Sequence, residues 1–370
     1  MTEGRRRLVV KIGSSSVTGP DGGPAVELLG RLAEEIDDRI SAGFDVVVVS
    51  SGAVAAGWAT IGQGEARPTS TAVLQAVSAV GQHRLMSVWA DSFAQVGRTV
   101  GQVLLAPLDF ANRQQYLHAR QTLGQLLDLG VVPIVNENDA VADDEIRFGD
   151  NDRLAALVAH LVGAERLVML TDAPGLLTAD PRVDAEASLI EEVSEIDRSL
   201  EGVAGGPGEV GSGGMASKLA AARIATWSGV ETVIAGAAEH GVLAAIDDPE
   251  RSVGTTFRAH PPRLNARKLW IAFALGSKGS LSIDEGASRA LVESNGSLLA
   301  AGVTSVTGSF GSGDAVEILG SDGTLLAKGL VRSSSETLAS AGEEGEDGGS
   351  QVVVHRDDLA VLVASLPGSD

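Results

Sequence analysis

Short apolar runs recur along this chain, and each is followed by a stretch with helical spacing. Residues 8–12, 45–49, 99–105, 131–135, 166–170 and 231–235 are such runs, rich in valine, leucine and isoleucine. Most are apolar at successive positions rather than alternate ones, as a strand covered on both faces requires. Between them, residues 25–42 carry Leu28, Leu29, Leu32, Ile36 and Ile40 at helical intervals and close on Gly43. Residues 71–93, 116–129, 153–162 and 215–228 read as further helices. This alternation predicts an α/β fold with a mostly parallel sheet and helices on both of its faces.

The pattern changes near residues 261–265. Beyond them short segments are separated by glycines, with one helical stretch at 287–293, which predicts a small, mainly β module. The expected division is 1–260 for the α/β domain, 261–276 for a linker and 277–370 for the second domain, a sensible count for 370 residues. Residues 341–350, glycine-rich and acidic, read as a flexible loop ahead of a last strand at 351–355.

Charge and composition exclude several classes. The net charge of -21 repels nucleic acid and anionic membranes. With no cysteine there is no disulfide, thiolate metal site or cysteine nucleophile, which fits a reducing compartment. No apolar run approaches the roughly 18 residues of a membrane span, and Lys11 and residues 13–16 interrupt a signal-like start. The expectation is a soluble, cytoplasmic protein that does not engage a membrane. None of the six histidines pairs at metal-ligand spacing, so no protein metal site is predicted. No Gly-x-Ser-x-Gly elbow is present, which argues against a serine hydrolase.

Residues 136–152 (Asn-Glu-Asn-Asp-Ala-Val-Ala-Asp-Asp-Glu-Ile-Arg-Phe-Gly-Asp-Asn-Asp) join the fourth strand to a helix and deliver Asp150, Asn151 and Asp152 to its start. In an open parallel sheet that strand end is where ligands sit; a solvated loop with Asn/Asp turn chemistry is the competing reading. Lys11 lies in the apolar first strand, ahead of Gly13-Ser14-Ser15-Ser16. A buried lysine demands an anion, and a small-residue loop lets backbone N–H groups approach one. Residues 211–218 (Gly-Ser-Gly-Gly-Met-Ala-Ser-Lys) run glycines into a helix start, another anion site. Lys218 there opposes the helix dipole unless an anion is bound. The stretch also matches G-x-G-x-x-A, but no strand precedes it, so a dinucleotide-binding oxidoreductase is a weak alternative. Ser51, after the second strand, and Thr171-Asp172, after the fifth, complete the strand-end candidates. Two lysines on separate loops facing an acid- and amide-rich loop suggest phosphoryl transfer by positioning and charge neutralisation.

These residues resemble the amino-acid kinase family. The likeness rests on residues 9–15 (Val-Val-Lys-Ile-Gly-Ser-Ser), 50–57 (Ser-Ser-Gly-Ala-Val-Ala-Ala-Gly), 132–142, 148–152 (Phe-Gly-Asp-Asn-Asp), 170–172 (Leu-Thr-Asp), 178–182 (Thr-Ala-Asp-Pro-Arg) and 211–219. The C-terminal part resembles a PUA domain through Asp284-Glu285-Gly286-Ala287, residues 297–299 and 302–303, Val306-Thr307-Gly308-Ser309-Phe310, and Gly313-Asp314. The resemblance implies a three-layer α/β/α domain that transfers phosphate from ATP to the side-chain carboxylate of L-glutamate. The product would be L-glutamyl 5-phosphate, the first step of proline biosynthesis. It implies that Lys11 and Lys218 stabilise the moving phosphate, that Asp152 orients them and that Asp150 shapes the acceptor site. Ser51, Asp139 and Asn151 would bind glutamate. Thr171, Asp172, Ser212, Gly213, Gly214, Met215, Ala216, Ser217 and Lys218 would line the ATP site. It further implies Mg2+ held through the nucleotide, feedback inhibition by proline and a homo-oligomer. Three features depart from the family pattern: the serine-rich residues 14–16, Ala216-Ser217 where Ser-Thr is common, and the acidic insert 343–347. Another carboxylate acceptor, or an RNA-binding regulatory protein acting through the PUA-like module, are the remaining readings. From residue 269 onward there are five Lys/Arg, namely Lys278, Arg289, Lys328, Arg332 and Arg356, which is poor provision for neutralising phosphates.

Overall fold

The computed structural model describes residues 5–62, 68–110, 112–141, 151–184, 186–196, 200, 202, 214–248, 251, 253–260, 264–341 and 351–363. The chain forms two compact units, Met1–Arg263 and Leu264–Asp370. Among the described residues no helix is long and apolar enough to cross a membrane.

The first unit begins with β1 (Arg6–Ile12), the helical turn α1 (Ser14–Val17), α2 (Val26–Ser41) and β2 (Phe44–Ser50). It continues through α3 (Ala53–Ile61), α4 (Thr71–Gln95), β3 (Thr99–Leu105), α5 (Arg113–Asp128) and β4 (Val131–Glu137). Next come α6 (Asn151–Val162), β5 (Arg166–Thr171), the short β6 (Glu192–Val193) and α7 (Met215–Trp227). β7 (Glu231–Gly236), α8 (Val242–Ala245) and β8 (Thr255–Phe257) follow. The strands form one sheet in the order β3-β4-β2-β1-β5-β7-β8-β6. The pairs from β3 across to β7 are parallel, and β8 returns antiparallel to β7. Every residue of β2 is buried, as are Leu8 to Ile12 of β1 and Leu167 to Thr171 of β5. This agrees with the apolar runs read from the sequence. On one side α2 packs Leu29, Leu32, Ala33 and Ile36 against Val46 and Val48 of the sheet, with Trp89 and Phe93 of α4 stacked beside them.

After β2 the chain adds β4 and β3 on one side of β1, then crosses to place β5 on the other. β1 is therefore the point where the direction of winding reverses, and the carboxyl ends of β2, β1 and β5 are where a sheet of this kind forms its ligand crevice.

Helix α3 is absent from the sequence reading. Its residues, Ala-Val-Ala-Ala-Gly-Trp-Ala-Thr-Ile, are apolar or small almost all round and show no clear stripe. Close contact with α4 explains the composition. A Cβ added at Gly81 would lie 1.7 Å from the Ala53 carbonyl oxygen, and one at Gly57 would lie 2.0 Å from that of Val77. The two backbones touch where only glycine fits. The serine loop at 14–16 likewise closes as a helical turn, with the Ser16 and Val17 N–H groups bonded to the Gly13 carbonyl.

The second unit contains a six-stranded sheet in the order β10-β14-β13-β12-β9-β11, formed by β9 (Gly279–Ile283), β10 (Leu298–Leu299), β11 (Val303–Gly308), β12 (Ala315–Leu319), β13 (Leu325–Val331) and β14 (Val352–Val361). Residues 266–274, assigned to a linker from sequence, form helical turns that bury Leu269 and Ile271 within this unit. β14 runs well past 355, because its polar middle (His355, Arg356, Asp357) hides the continuity of two apolar ends.

Candidate active site

The crevice beside β1 gathers the candidates into two adjoining clusters, both anchored on the first turn of α6. The first is ionic. Lys11, at the carboxyl end of β1, pairs with Asp152 Oδ1, and Lys218 Nζ, on α7, stands 3.3 Å from Asp152 Oδ2. Ser217 donates from Oγ to the same Oδ2 at 3.1 Å. Lys11, Asp152 and Lys218 are each at most 3% exposed. Burial alone would raise the Asp152 carboxyl, but the charges of Lys11 and Lys218, and their hydrogen bonds, outweigh it and hold the group below its ordinary value. The α6 N-terminus also favours a carboxylate. Lys218 sits at the unfavourable end of the α7 dipole, and the Asp152 carboxylate is the anion that stabilises it there.

The second cluster is made of neutral amides and hydroxyls. Asn151 precedes Asp152 in the helix and faces the other way, toward β2 and β4. Its Nδ2 donates to the Ser50 carbonyl (2.9 Å) and Asn136 Oδ1 (2.7 Å), and Ser51 Oγ shares one of these hydrogens at 3.1 Å. Ser51 is held by the turn from β2 into α3, where Gly52 adopts φ 99, a left-handed conformation that a side chain resists. Trp89 Nε1 donates to Ser50 Oγ at 3.0 Å and braces the same turn from α4.

The sequence candidates fall as follows. Lys11, Asp152, Ser217 and Lys218 meet directly, and so do Ser51 and Asn151. Asp139 is buried at the head of a short 3-10 turn, Asp139–Val141, that packs on α4 after β4. Thr171 ends β5 beneath the crevice and donates from Oγ1 to Asp172 Oδ1 at 2.9 Å. Gly214 caps α7, whose first turn holds Met215 and Ala216. Asp150, Ser212 and Gly213 lie outside the described residues. Ser50 and Asn136 fall within the candidate stretches 50–57 and 136–152 without a role of their own, and Gln82 was not singled out from sequence. Gln82 had a signal. It falls on the buried face of α4 with Val77, Ser78, Gly81, Leu85 and Trp89, where an amide is out of place unless it has partners.

Among the described residues no three acidic or imidazole side chains converge as a metal site. Asp152, the acid at the centre, is committed to two ammonium groups. A cation that accompanies a nucleotide would take phosphate oxygens and water as its ordinary ligands.

The profile of the amino acid kinase family matches residues 6–236, and that of the PUA domain matches residues 279–346. A protein of Nocardia farcinica named glutamate 5-kinase is 48% identical over 359 residues, covering 96% of each chain. One of Rhodococcus jostii with the same name is 51% identical over 360 residues, again covering 96% of each. Among solved structures, a UMP kinase from Bacillus anthracis is similar with a TM-score of 0.47 at 16% identity, covering 69% of this chain and 96% of that one.

Proposed function

The chain belongs to the amino acid kinase family, and on that premise we propose that it transfers the γ-phosphoryl group of ATP to the side-chain carboxylate of L-glutamate. The product is L-glutamyl 5-phosphate, the entry to proline biosynthesis. The observation that supports this most is the buried Lys11–Asp152–Lys218 cluster, set beside a neutral amide cluster at the winding reversal of the sheet.

A carboxylate is ionised at neutral pH, so this acceptor needs no general base. Its oxygen forms the new bond to the γ-phosphorus as the bond from phosphorus to the β,γ-bridging oxygen breaks, and ADP leaves. Charge spreads over the phosphoryl oxygens during transfer. Lys11 and Lys218, already oriented by Asp152 in a site shielded from water, stabilise that charge without reorganising. Ser51, Asn151 and Asp139 hold the amino acid, and Asp150 shapes its site. Thr171, Asp172 and residues 212–218 line the nucleotide. Mg2+ would be held through the nucleotide phosphates and would supply neutralisation of their charge.

The same reading places the protein in the cytoplasm as a homo-oligomer inhibited by proline, with a kinase domain followed by a PUA domain. With five Lys/Arg from residue 269 onward, the PUA domain reads as a structural or regulatory module rather than an RNA-binding one.

Hydroxylamine tests the reaction by trapping an acyl phosphate as its hydroxamate. Formation that requires both ATP and glutamate is the expected result. Trapping with aspartate or N-acetylglutamate but not glutamate would reassign the acceptor.

A further inference from the structure

Gln82 takes no part in the chemistry above, yet it is buried in α4 and spends its whole side chain on the strand end that carries the site. Its Nε2 donates to the Glu137 carbonyl at 3.2 Å. Its Oε1 accepts from Asn136 Nδ2 at 3.2 Å, and from Gln102 Nε2 of β3 at 3.4 Å. Asn136 in turn accepts at Oδ1 from the Glu137 backbone N–H (2.9 Å) and from Asn151 Nδ2 (2.7 Å).

Backbone groups fix the sense of every amide in this chain. A carbonyl only accepts, so Gln82 must turn its nitrogen to Glu137 and its oxygen to Asn136. A backbone N–H only donates, so Asn136 must turn its oxygen to Glu137 and its nitrogen to Gln82. The Ser50 carbonyl and Asn136 Oδ1 then both require the Asn151 nitrogen. One atom remains. Asn151 Oδ1 is buried and accepts no hydrogen bond from the described residues, an arrangement that costs free energy unless a donor arrives. The donor that a free amino acid brings, and a simple dicarboxylate lacks, is its α-ammonium group.

We propose that Gln82 is a positioning residue which, through Asn136, locks the Asn151 side chain with its oxygen presented to the substrate, so that the site selects an acceptor bearing an α-ammonium group. This rests on the reading that Asn151 contacts glutamate. Without Gln82, Asn136 loses the partner that holds its nitrogen, and the Asn151 amide loses the lock on its direction. A charge-assisted hydrogen bond to the substrate weakens with it.

The test compares glutamate with glutarate, the same dicarboxylate without the ammonium group, in the hydroxylamine assay. Gln82→Met keeps the volume and removes the amide. Gln82→Glu keeps the shape and, as a carboxylate, loses the donor to Glu137. In both, the glutamate KM should rise about tenfold or more, the ATP KM should move less than about twofold, and the preference for glutamate over glutarate should fall in proportion. Glutamate KM and preference equal to the unsubstituted enzyme's in either folded variant overturns the proposal. A parallel loss for both acceptors and ATP, with a lowered Tm, assigns Gln82 to packing and overturns it too. Asn151→Ala separates the two levels. If it leaves the glutamate KM unchanged, the underlying placement of glutamate is wrong. If it raises that KM while both Gln82 variants do not, the relay alone is wrong.

Discussion

Asn151 and Asp152 are neighbours in the first turn of one helix, yet they organise opposite chemistries. Asp152 reaches β1 and α7 and draws two lysines onto one carboxylate. Asn151 reaches β2 and β4 and bonds to a neutral set, the Ser50 carbonyl, the Ser51 hydroxyl and the Asn136 amide. Successive side chains on a helix diverge by about 100°, so one turn placed at the winding reversal serves two strand pairs at once. The ionic half suits a group whose charge develops during reaction. The amide half suits a group whose charge is the same throughout and whose shape must be read. The α6 N-terminus supports the first by its dipole, and the α3–α4 contact supports the second by fixing the Ser51 turn.

Breaking the ionic half should give the largest effect. Asp152→Asn leaves two buried ammonium groups without their carboxylate, which should cost about 3–5 kcal/mol of stability and lower kcat about a thousandfold. The folded Asp152 carboxyl lies below its ordinary value of 3.8. Its contribution is therefore complete above that value and is lost as pH falls through the depressed folded value. Denaturant titrations should show a constant gap between the two proteins near neutrality, narrowing only in acid below 3.8. A gap that closes between pH 5 and 8 would contradict the assigned charge state.

Gly81→Ala attacks the amide half from behind. The added methyl meets the Ala53 carbonyl oxygen at 1.7 Å, so α3 must shift, at about 1–3 kcal/mol. Thermal unfolding and the glutamate KM should both report it, with little change in the ATP KM. An unshifted Tm would mean that the helices separate easily and do not fix the turn. The mildest change is Ser217→Ala. It removes one hydrogen bond to Asp152 and keeps both lysines, which should cost about 1 kcal/mol or a few-fold in kcat. A loss as large as that of Asp152→Asn would make the hydroxyl a direct partner of phosphate.

How much of this was legible in the sequence differs between the halves for a physical reason. A lysine in an apolar strand, an acid at a helix start and glycines before a second lysine are each locally anomalous, so Lys11, Asp152 and Lys218 stood out one by one. The sheet was legible because β2 and β5 are apolar at nearly every position. The amide half is built from contacts distant in the chain: Gln82 lies 54 residues from Asn136, and Asn151 lies 101 from Ser50. Polar residues of ordinary type carry no local mark of such partners. Helix α3 escaped because residues chosen to let two backbones touch display no amphipathic stripe.

The division of labour itself is tested by measuring kcat and the glutamate KM of Lys218→Ala and Asn151→Ala side by side, with hydroxylamine trapping the product. Lys218→Ala should lose kcat by about two to three orders of magnitude with the glutamate KM nearly unchanged, and Asn151→Ala should raise that KM about ten- to a hundredfold with a far smaller loss of kcat. Two variants that fail in the same parameter, to the same degree, would contradict the account.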